Sequence, residues 1–176
     1  MISGADLRRL TAGRWLLPIM AHVAAGDGSR FAAMLAGLGL SRSVLAASLA
    51  RLVKAGWLTH NPGHGHPLRP EYVLSASGRP IGALARRIVA TRRALGLDPD
   101  GLSRWALPAI ARLVEAPCRF GELRTALAPV TPRALSLTLK QLQAAGLIDR
   151  ALEESYPPSA IYALAERGEM LAEALS

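Results

Sequence analysis

Much of what would make this chain easy to read is missing from it. There is one cysteine, Cys118, which excludes an internal disulfide framework and agrees with a reducing compartment. Aromatic residues make up only 5% of a chain that is 51% hydrophobic. Any core must therefore be built from Leu, Ala, Val and Ile, a set that favours helices. No apolar run is long enough to cross a bilayer, and the opening MISGADLRRL lacks the apolar centre and cleavage site of a signal peptide, so a cytoplasmic protein is expected. No nucleophile and base, glycine-rich phosphate loop or carboxylate dyad occurs in a supportive context, so neither catalysis nor a cofactor is expected.

Acidic residues are scarce in one half only. Residues 1–95 hold 13 Lys+Arg against 3 Asp+Glu, a net +10, whereas 96–176 hold 8 against 10, a net −2. A basic half of this kind attracts a polyanion, nucleic acid before an anionic membrane surface.

What the chain does have is a repeat. Adding ninety to Arg14, Trp15, Leu17 and Pro18 gives Arg104, Trp105, Leu107 and Pro108. The same step carries Leu45, Leu49, Leu52, Ala55 and Gly56 onto Leu135, Leu139, Leu142, Ala145 and Gly146, and Tyr72, Leu74 and Gly78 onto Tyr162, Leu164 and Gly168. Only the stretch around Phe31 and Phe120 slips, by one residue. One supersecondary unit has been duplicated. Two small domains are expected, 1–96 with a long connecting helix and 97–176.

Within one copy, the apolar spacing predicts a helix from Arg14 to Ala25, ended by Gly26-Asp27-Gly28. A short helix follows from Phe31 to Gly37, then a turn at Gly39 and Leu40, then Ser41 as N-cap of a third helix that runs to about Ala55 and stops at Gly56. In the second copy Thr131 and Pro132 supply the N-cap and a proline at the first helical position. Strands are expected at Trp57–Thr59 and Tyr72–Leu74, and at Leu147–Asp149 and Ile161–Ala163. A long helix from Ser75 to about Leu95 carries Arg86, Arg87, Arg92 and Arg93; a shorter one spans Ala165–Ala174. The predicted fold class is mainly α with small β-hairpins: two tandem winged helix-turn-helix domains.

These residues resemble the HxlR-type winged-helix regulators, a branch of the bacterial MarR-like transcription factors. The second copy carries the closer match: Arg104-Trp105, Cys118-Arg119-Phe120-Gly121-Glu122-Leu123, Thr131-Pro132-Arg133-Ala134-Leu135-Ser136, Ala145-Gly146-Leu147-Ile148, and Tyr156-Pro157-Pro158 before Tyr162. The first keeps Arg14-Trp15, Arg30-Phe31, Leu45, Leu49, Leu52, Ala55-Gly56 and Pro70-Glu71-Tyr72. Members usually carry one unit and work as homodimers on two half-sites, so the resemblance implies an intrachain pseudo-dimer and double-stranded DNA as partner. A small-molecule effector is a further implied partner, and the chain would act as a monomeric pseudo-dimer or as a homodimer. Covalent linkage lets the halves diverge, which two-fold symmetry between identical chains forbids.

The third helix of the first copy, burying Leu45, Leu49 and Leu52, turns Ser43, Ala47, Ala50 and Lys54 outward, with Ala46 and Arg51 on the flanks. Alanines cannot discriminate bases through bidentate hydrogen bonds. Arg42, Ser43, Arg51 and Lys54, with His64, His66 and Arg69 of the first wing, are therefore expected to hold phosphates. Arg133, Ser136, Lys140 and Gln141 are expected to supply what base reading exists. The second wing has Arg150 but also Asp149, Glu153 and Glu154, which repel phosphates.

Other sites are weaker. His60, His64 and His66 have only Glu71 as a nearby carboxylate, too few ligands for zinc, and no metal is expected. Arg119 beside Cys118 is of the sign that lowers a thiol's pKa, yet the position suits a small packed side chain. Trp15 and Trp105 begin equivalent helices and read as core or as walls of an apolar ligand cleft. The alternative function is a winged-helix protein that has lost DNA binding and binds or transforms a small apolar molecule in a cleft between the repeats.

Overall fold

The computed structural model describes residues 3–26, 28–61, 71–98, 101–153 and 159–176. In chain order they form α1 (Gly4–Thr11), α2 (Leu16–Ala25), β1 (Ser29–Arg30), α3 (Phe31–Leu38), α4 (Arg42–Lys54), β2 (Leu58–Asn61), β3 (Glu71–Leu74), α5 (Gly78–Ala94), α6 (Ala106–Glu115), β4 (Cys118–Arg119), α7 (Phe120–Ala126), α8 (Pro132–Ala144), β5 (Ile148–Glu153), β6 (Ser159–Leu164) and α9 (Glu166–Glu173). By their own contacts these divide into a first unit, residues 12–89, and a second unit, residues 3–11 together with 90–176. The N-terminal helix thus falls with the second repeat, where it packs on α6, and α5 is shared between the units at Val89 and Ala90. No single helix among the described residues is long and apolar enough to cross a membrane.

In the first unit, α3 and α4 are bent 117° from each other across the turn Gly39-Leu40-Ser41, the angle of a helix-turn-helix. Ser41 caps α4 by accepting the Val44 N–H. At the other end, Gly56 adopts φ +77° while its N–H bonds the Val53 carbonyl and the Trp57 N–H reaches back to Leu52. This is a Schellman closure, which requires the left-handed region that glycine enters at little cost. It also explains why the strand begins at Leu58 and not at Trp57: the tryptophan is spent closing the helix, its side chain 4% exposed.

The hairpin strands β2 and β3 pair antiparallel with Leu58 opposite Leu74, and the two-residue β1 adds to the far side of β3, giving the order β1-β3-β2. Leu16, Ile19, Met20 and Val23 of α2, Met34 of α3, Leu45, Leu49 and Leu52 of α4, and Ile81, Leu84 and Ile88 of α5 are buried. Each such side chain contributes roughly 1.5–3 kcal/mol of burial.

The second unit repeats this frame. Thr131 Oγ1 accepts the Ala134 N–H ahead of Pro132, and Gly146, at φ +66°, closes α8 with the Leu147 N–H on the Leu142 carbonyl. Its sheet has the order β4-β6-β5 with Ile148 opposite Leu164. At the start of α7, the Glu122 carboxylate accepts the Arg119 N–H at 2.6 Å. Leu135, Leu139 and Leu142 enter the core beside Leu107, Ile110, Leu123, Leu147 and Leu171. The one buried hydroxyl on α8, Thr138, has no exposure at all.

Two glycines recur for a reason other than a turn. A Cβ on Gly78 would lie 1.8 Å from the Trp57 carbonyl oxygen, and one on Gly168 would lie 1.9 Å from that of Leu147. In each unit the helix after the hairpin starts directly against the residue that leaves the third helix, and only a residue without Cβ fits there. Helix α5 begins at Gly78, whose N–H is accepted by Ser75 Oγ at 2.9 Å, and not at Ser75.

The N-terminal helix α1 has no counterpart in the repeat pattern. Its cause is local: Ser3 Oγ accepts the Asp6 N–H at 3.1 Å and donates to the Asp6 carboxylate at 2.6 Å, and Leu7 and Leu10 are buried.

Candidate nucleic-acid interface

In α8 the residues opposite the buried leucines are Arg133, Ser136, Leu137 and Lys140, all exposed. At about 100° per residue, positions spaced i, i+3, i+4 and i+7 form one stripe along the helix. The Arg133, Ser136 and Lys140 side chains have no hydrogen bond or ion pair to the described residues. Leu137, 53% exposed, lies among these three donors.

The equivalent stripe of α4 is Ser43, Ala46, Ala47 and Ala50, also exposed. Its one polar member already has a partner, Ser43 Oγ lying 3.2 Å from Ser41 Oγ. Lys54 stands on the same stripe in the last turn, and Arg42 sits at the first turn to one side; both are exposed.

Gln141 and Arg51 occupy equivalent exposed positions off the stripe, each beside the segment that precedes the first helix of its repeat. Gln141 Oε1 accepts the Ser103 N–H at 3.2 Å. Ser103 Oγ meets Thr138 Oγ1 at 2.6 Å, Thr138 donates to the Ala134 carbonyl at 2.8 Å, and Ser103 Oγ accepts the Trp105 N–H at 3.2 Å. The assignment that gives every proton an acceptor runs from the Trp105 N–H through both hydroxyls to Ala134, and it ties α8 to the start of α6. The exposed Gln141 thus links α8 to the segment ahead of α6 through its side-chain oxygen.

In the first unit the three equivalents are Gly13, Ser48 and Arg51. Gly13 has no hydroxyl, Ser48 bonds only the Val44 carbonyl at 2.8 Å, and the Arg51 guanidinium lies over Gly13, where an added Cβ would be 2.6 Å from Nη1. The exposed Arg51 guanidinium lies where the serine network lies in the other copy.

His64, His66 and Arg69, and Glu154 of the second wing, lie outside the described residues. At the base of the first wing, His60 packs edge-on against Tyr72 with ring centroids 5.1 Å apart, and Glu71 pairs with Arg30 at 3.3 Å. Among the described residues no three His, Cys, Asp or Glu side chains converge. In the second wing, Asp149 and Arg150 are both exposed.

Trp15 and Trp105 hold the N-cap positions of α2 and α6, with the preceding arginine over each ring at 4.7 and 5.1 Å. Trp105 is 8% exposed. Helices α2 and α6 start at Leu16 and Ala106, not at the arginines, because each Arg-Trp pair forms the turn ahead of its helix. A cleft of about 320 Å³ in the second unit is lined instead by Leu7, Arg8, Pro108, Arg112, Glu115 and Leu127. Cys118 is buried, its thiol donating to the Ala116 carbonyl at 3.2 Å. Burial pushes the Cys118 pKa up, and nearby Arg112 offsets this only in part. The lowering expected from Arg119 is not what this environment produces.

Counted by unit, the first holds 9 Lys+Arg and 2 Asp+Glu and the second 12 and 11, a net +7 against +1. The charge divide seen along the sequence persists, softened because Arg8, Arg9, Arg92 and Arg93 belong to the second unit.

Each unit is a winged helix-turn-helix whose third helix leaves an outward stripe. The profile of HxlR-like helix-turn-helix proteins matches residues 10–92 and again residues 102–176. The chain belongs to that family. It is 32% identical over 65 residues to an uncharacterized HTH-type transcriptional regulator of Methanothermobacter thermautotrophicus, covering 37% of this chain and 50% of that protein. It is also 32% identical over 68 residues to the uncharacterized HTH-type transcriptional regulator YkvN of Bacillus subtilis, covering 39% and 58%. The matches thus span about half the length of these curated relatives. Among solved structures, one named as a MarR-family transcriptional regulator from Enterococcus faecalis V583 is 28% identical, with a TM-score of 0.42 over 50% of this chain and 74% of that one. The reduced form of the transcriptional regulator YodB from B. subtilis is 23% identical, with a TM-score of 0.39 over 57% and 83%.

Proposed function

We propose that this protein is a DNA-binding transcriptional regulator in which α4 and α8, two helices of one chain, engage one duplex as a pseudo-dimer. The observation that carries the proposal is the stripe on α8: Arg133, Ser136 and Lys140 are exposed and, among the described residues, without partners, on a helix whose opposite face is packed into the core. A helix-turn-helix presents its second helix to the major groove in this way. Arg42 and Lys54 supply phosphate contacts from α4, and the net +7 of the first unit supplies long-range attraction.

The test is duplex affinity at stepped salt concentrations. Log affinity should fall linearly with log salt, by about 0.9 per phosphate neutralised. A flat line removes the electrostatic mechanism. The alternative, a winged-helix protein that has lost DNA and holds a small apolar molecule, requires that flat line together with a large thermal shift from an apolar metabolite.

A further inference from the structure

The four outward positions of α8 and the four equivalent positions of α4 differ throughout: arginine, serine, leucine and lysine in one, serine and three alanines in the other. Given the DNA reading above, on which this inference rests, we propose that the two recognition helices do different work. Helix α8 reads base edges, α4 grips backbone, and the operator is specified in one half-site only.

The chemistry follows from what each stripe can donate. Arg133, in the first turn of α8, presents the planar fork that matches the O6 and N7 acceptors of guanine, and the first turns of a recognition helix are those that reach base edges. Ser136 and Lys140 add donors one and two turns on, and Leu137 offers an apolar contact to a thymine methyl. On α4 the alanines offer methyl contact at most, and Ser43 is engaged with Ser41. Its cations lie at the periphery, Arg42 and Arg51 off the stripe and Lys54 in the last turn, where they suit phosphates.

Two independent features point the same way. The hydrogen-bond chain from Trp105 through Ser103 and Thr138 fixes α8 on α6, as a base reader requires, whereas Gly13 and Ser48 leave α4 without it. The unit that lacks readers also carries most of the net positive charge, which favours nonspecific hold over discrimination.

The test is selection of duplexes from a random library by the full chain, followed by sequencing. The expected motif is non-palindromic, a single specified block of a few base pairs beside a stretch required in length but not in sequence. Arg133→Ala should weaken the selected duplex by about 5- to 150-fold and relax one position of the motif. Lys54→Ala should weaken all duplexes alike and reduce the salt slope by about one. Transplanting the stripe, Ser43→Arg with Ala46→Ser, Ala47→Leu and Ala50→Lys, should create a second specified block. These are exposed positions, and thermal melts of each variant confirm the fold. Two equivalent blocks in the wild-type motif, or retention of duplexes with no motif, would overturn the inference while leaving DNA binding intact. Failure to retain any duplex at low salt would overturn both.

Discussion

Replacing Thr138 by valine keeps the shape of a fully buried side chain and deletes one oxygen. That oxygen accepts from Ser103 at 2.6 Å and donates to the Ala134 carbonyl at 2.8 Å. The second bond is a back-bond within the helix, of the kind that contributes little or slightly destabilises. The first joins two elements, and its loss leaves Ser103 Oγ without its acceptor in a partly buried place. A net hydrogen bond contributes about 0.5–1.5 kcal/mol, and an unsatisfied buried partner costs about 1–3. Since Ser103 is half-buried and its hydroxyl can turn toward water, about 1–2 kcal/mol is the reasoned loss for Thr138→Val. For a unit of this size that corresponds to roughly 4–8 °C per kcal/mol in melting temperature. The built-in control is Ser48→Ala at the equivalent position, where only the back-bond is lost and the change should stay within about 0.5 kcal/mol. Differential scanning calorimetry on the two variants decides the matter. Equal melting temperatures would refute the claim that the serine-threonine chain holds α8.

Gly78→Ala and Gly168→Ala should each destabilise their own unit by about 1–3 kcal/mol or more, since the added methyl meets backbone and not a movable side chain; chemical denaturation showing either variant as stable as wild type would contradict that packing. Cys118 should resist alkylation at neutral pH and react once the chain is unfolded in denaturant, so prompt stoichiometric labelling of the native protein would show the thiol is not buried. Because the folded thiol holds its proton more tightly than the unfolded one, its contribution to stability is constant below about pH 8.5 and is lost as pH rises from there through the raised value; a Cys118→Ser variant should lose that part of the alkaline decline.

The recurring glycines, leucines and caps were enough to place both third helices, because each of those signals is local and each occurs twice. The Arg-Trp turns were misplaced into helices, since an apolar tryptophan before an apolar run continues the helical period even where it sits ahead of the first turn. Helix α1 went unseen although Ser3, Asp6, Leu7 and Leu10 spell a capped amphipathic turn, because nothing in the other repeat echoes them. The strands β1 and β4 are two residues long, too short for alternation to register. Of the site, the outward stripes follow from helical period alone. The approach of Gln141 to Ser103 and of Arg51 to Gly13 does not, because it depends on a segment 38 residues away in each copy.

That last pair shows how a duplicated chain comes to have unequal halves. In two identical subunits a change that improves a reader also changes its twin, so a helix cannot be given up for backbone contact while its copy is kept for bases. Within one chain the constraint is gone. The two copies differ here at matched positions, Gly13 and Arg51 in the first and Ser103 and Gln141 in the second, and a Cβ on Gly13 would lie 2.6 Å from Arg51 Nη1, the end of a side chain that can swing aside. In the other copy Ser103 and Thr138 form the hydroxyl chain, and Gln141 separately accepts the Ser103 backbone N–H. Exchanging Gly13→Ser alone should displace the Arg51 guanidinium at little cost, within about 0.5 kcal/mol, whereas adding Arg51→Gln and Ser48→Thr should install the hydroxyl chain of the second unit and stabilise the first by more than the sum of the single changes. A calorimetric cycle over these changes measures that coupling. Simple additivity across the cycle would mean that the two copies drifted apart residue by residue, without the packing dependence argued here.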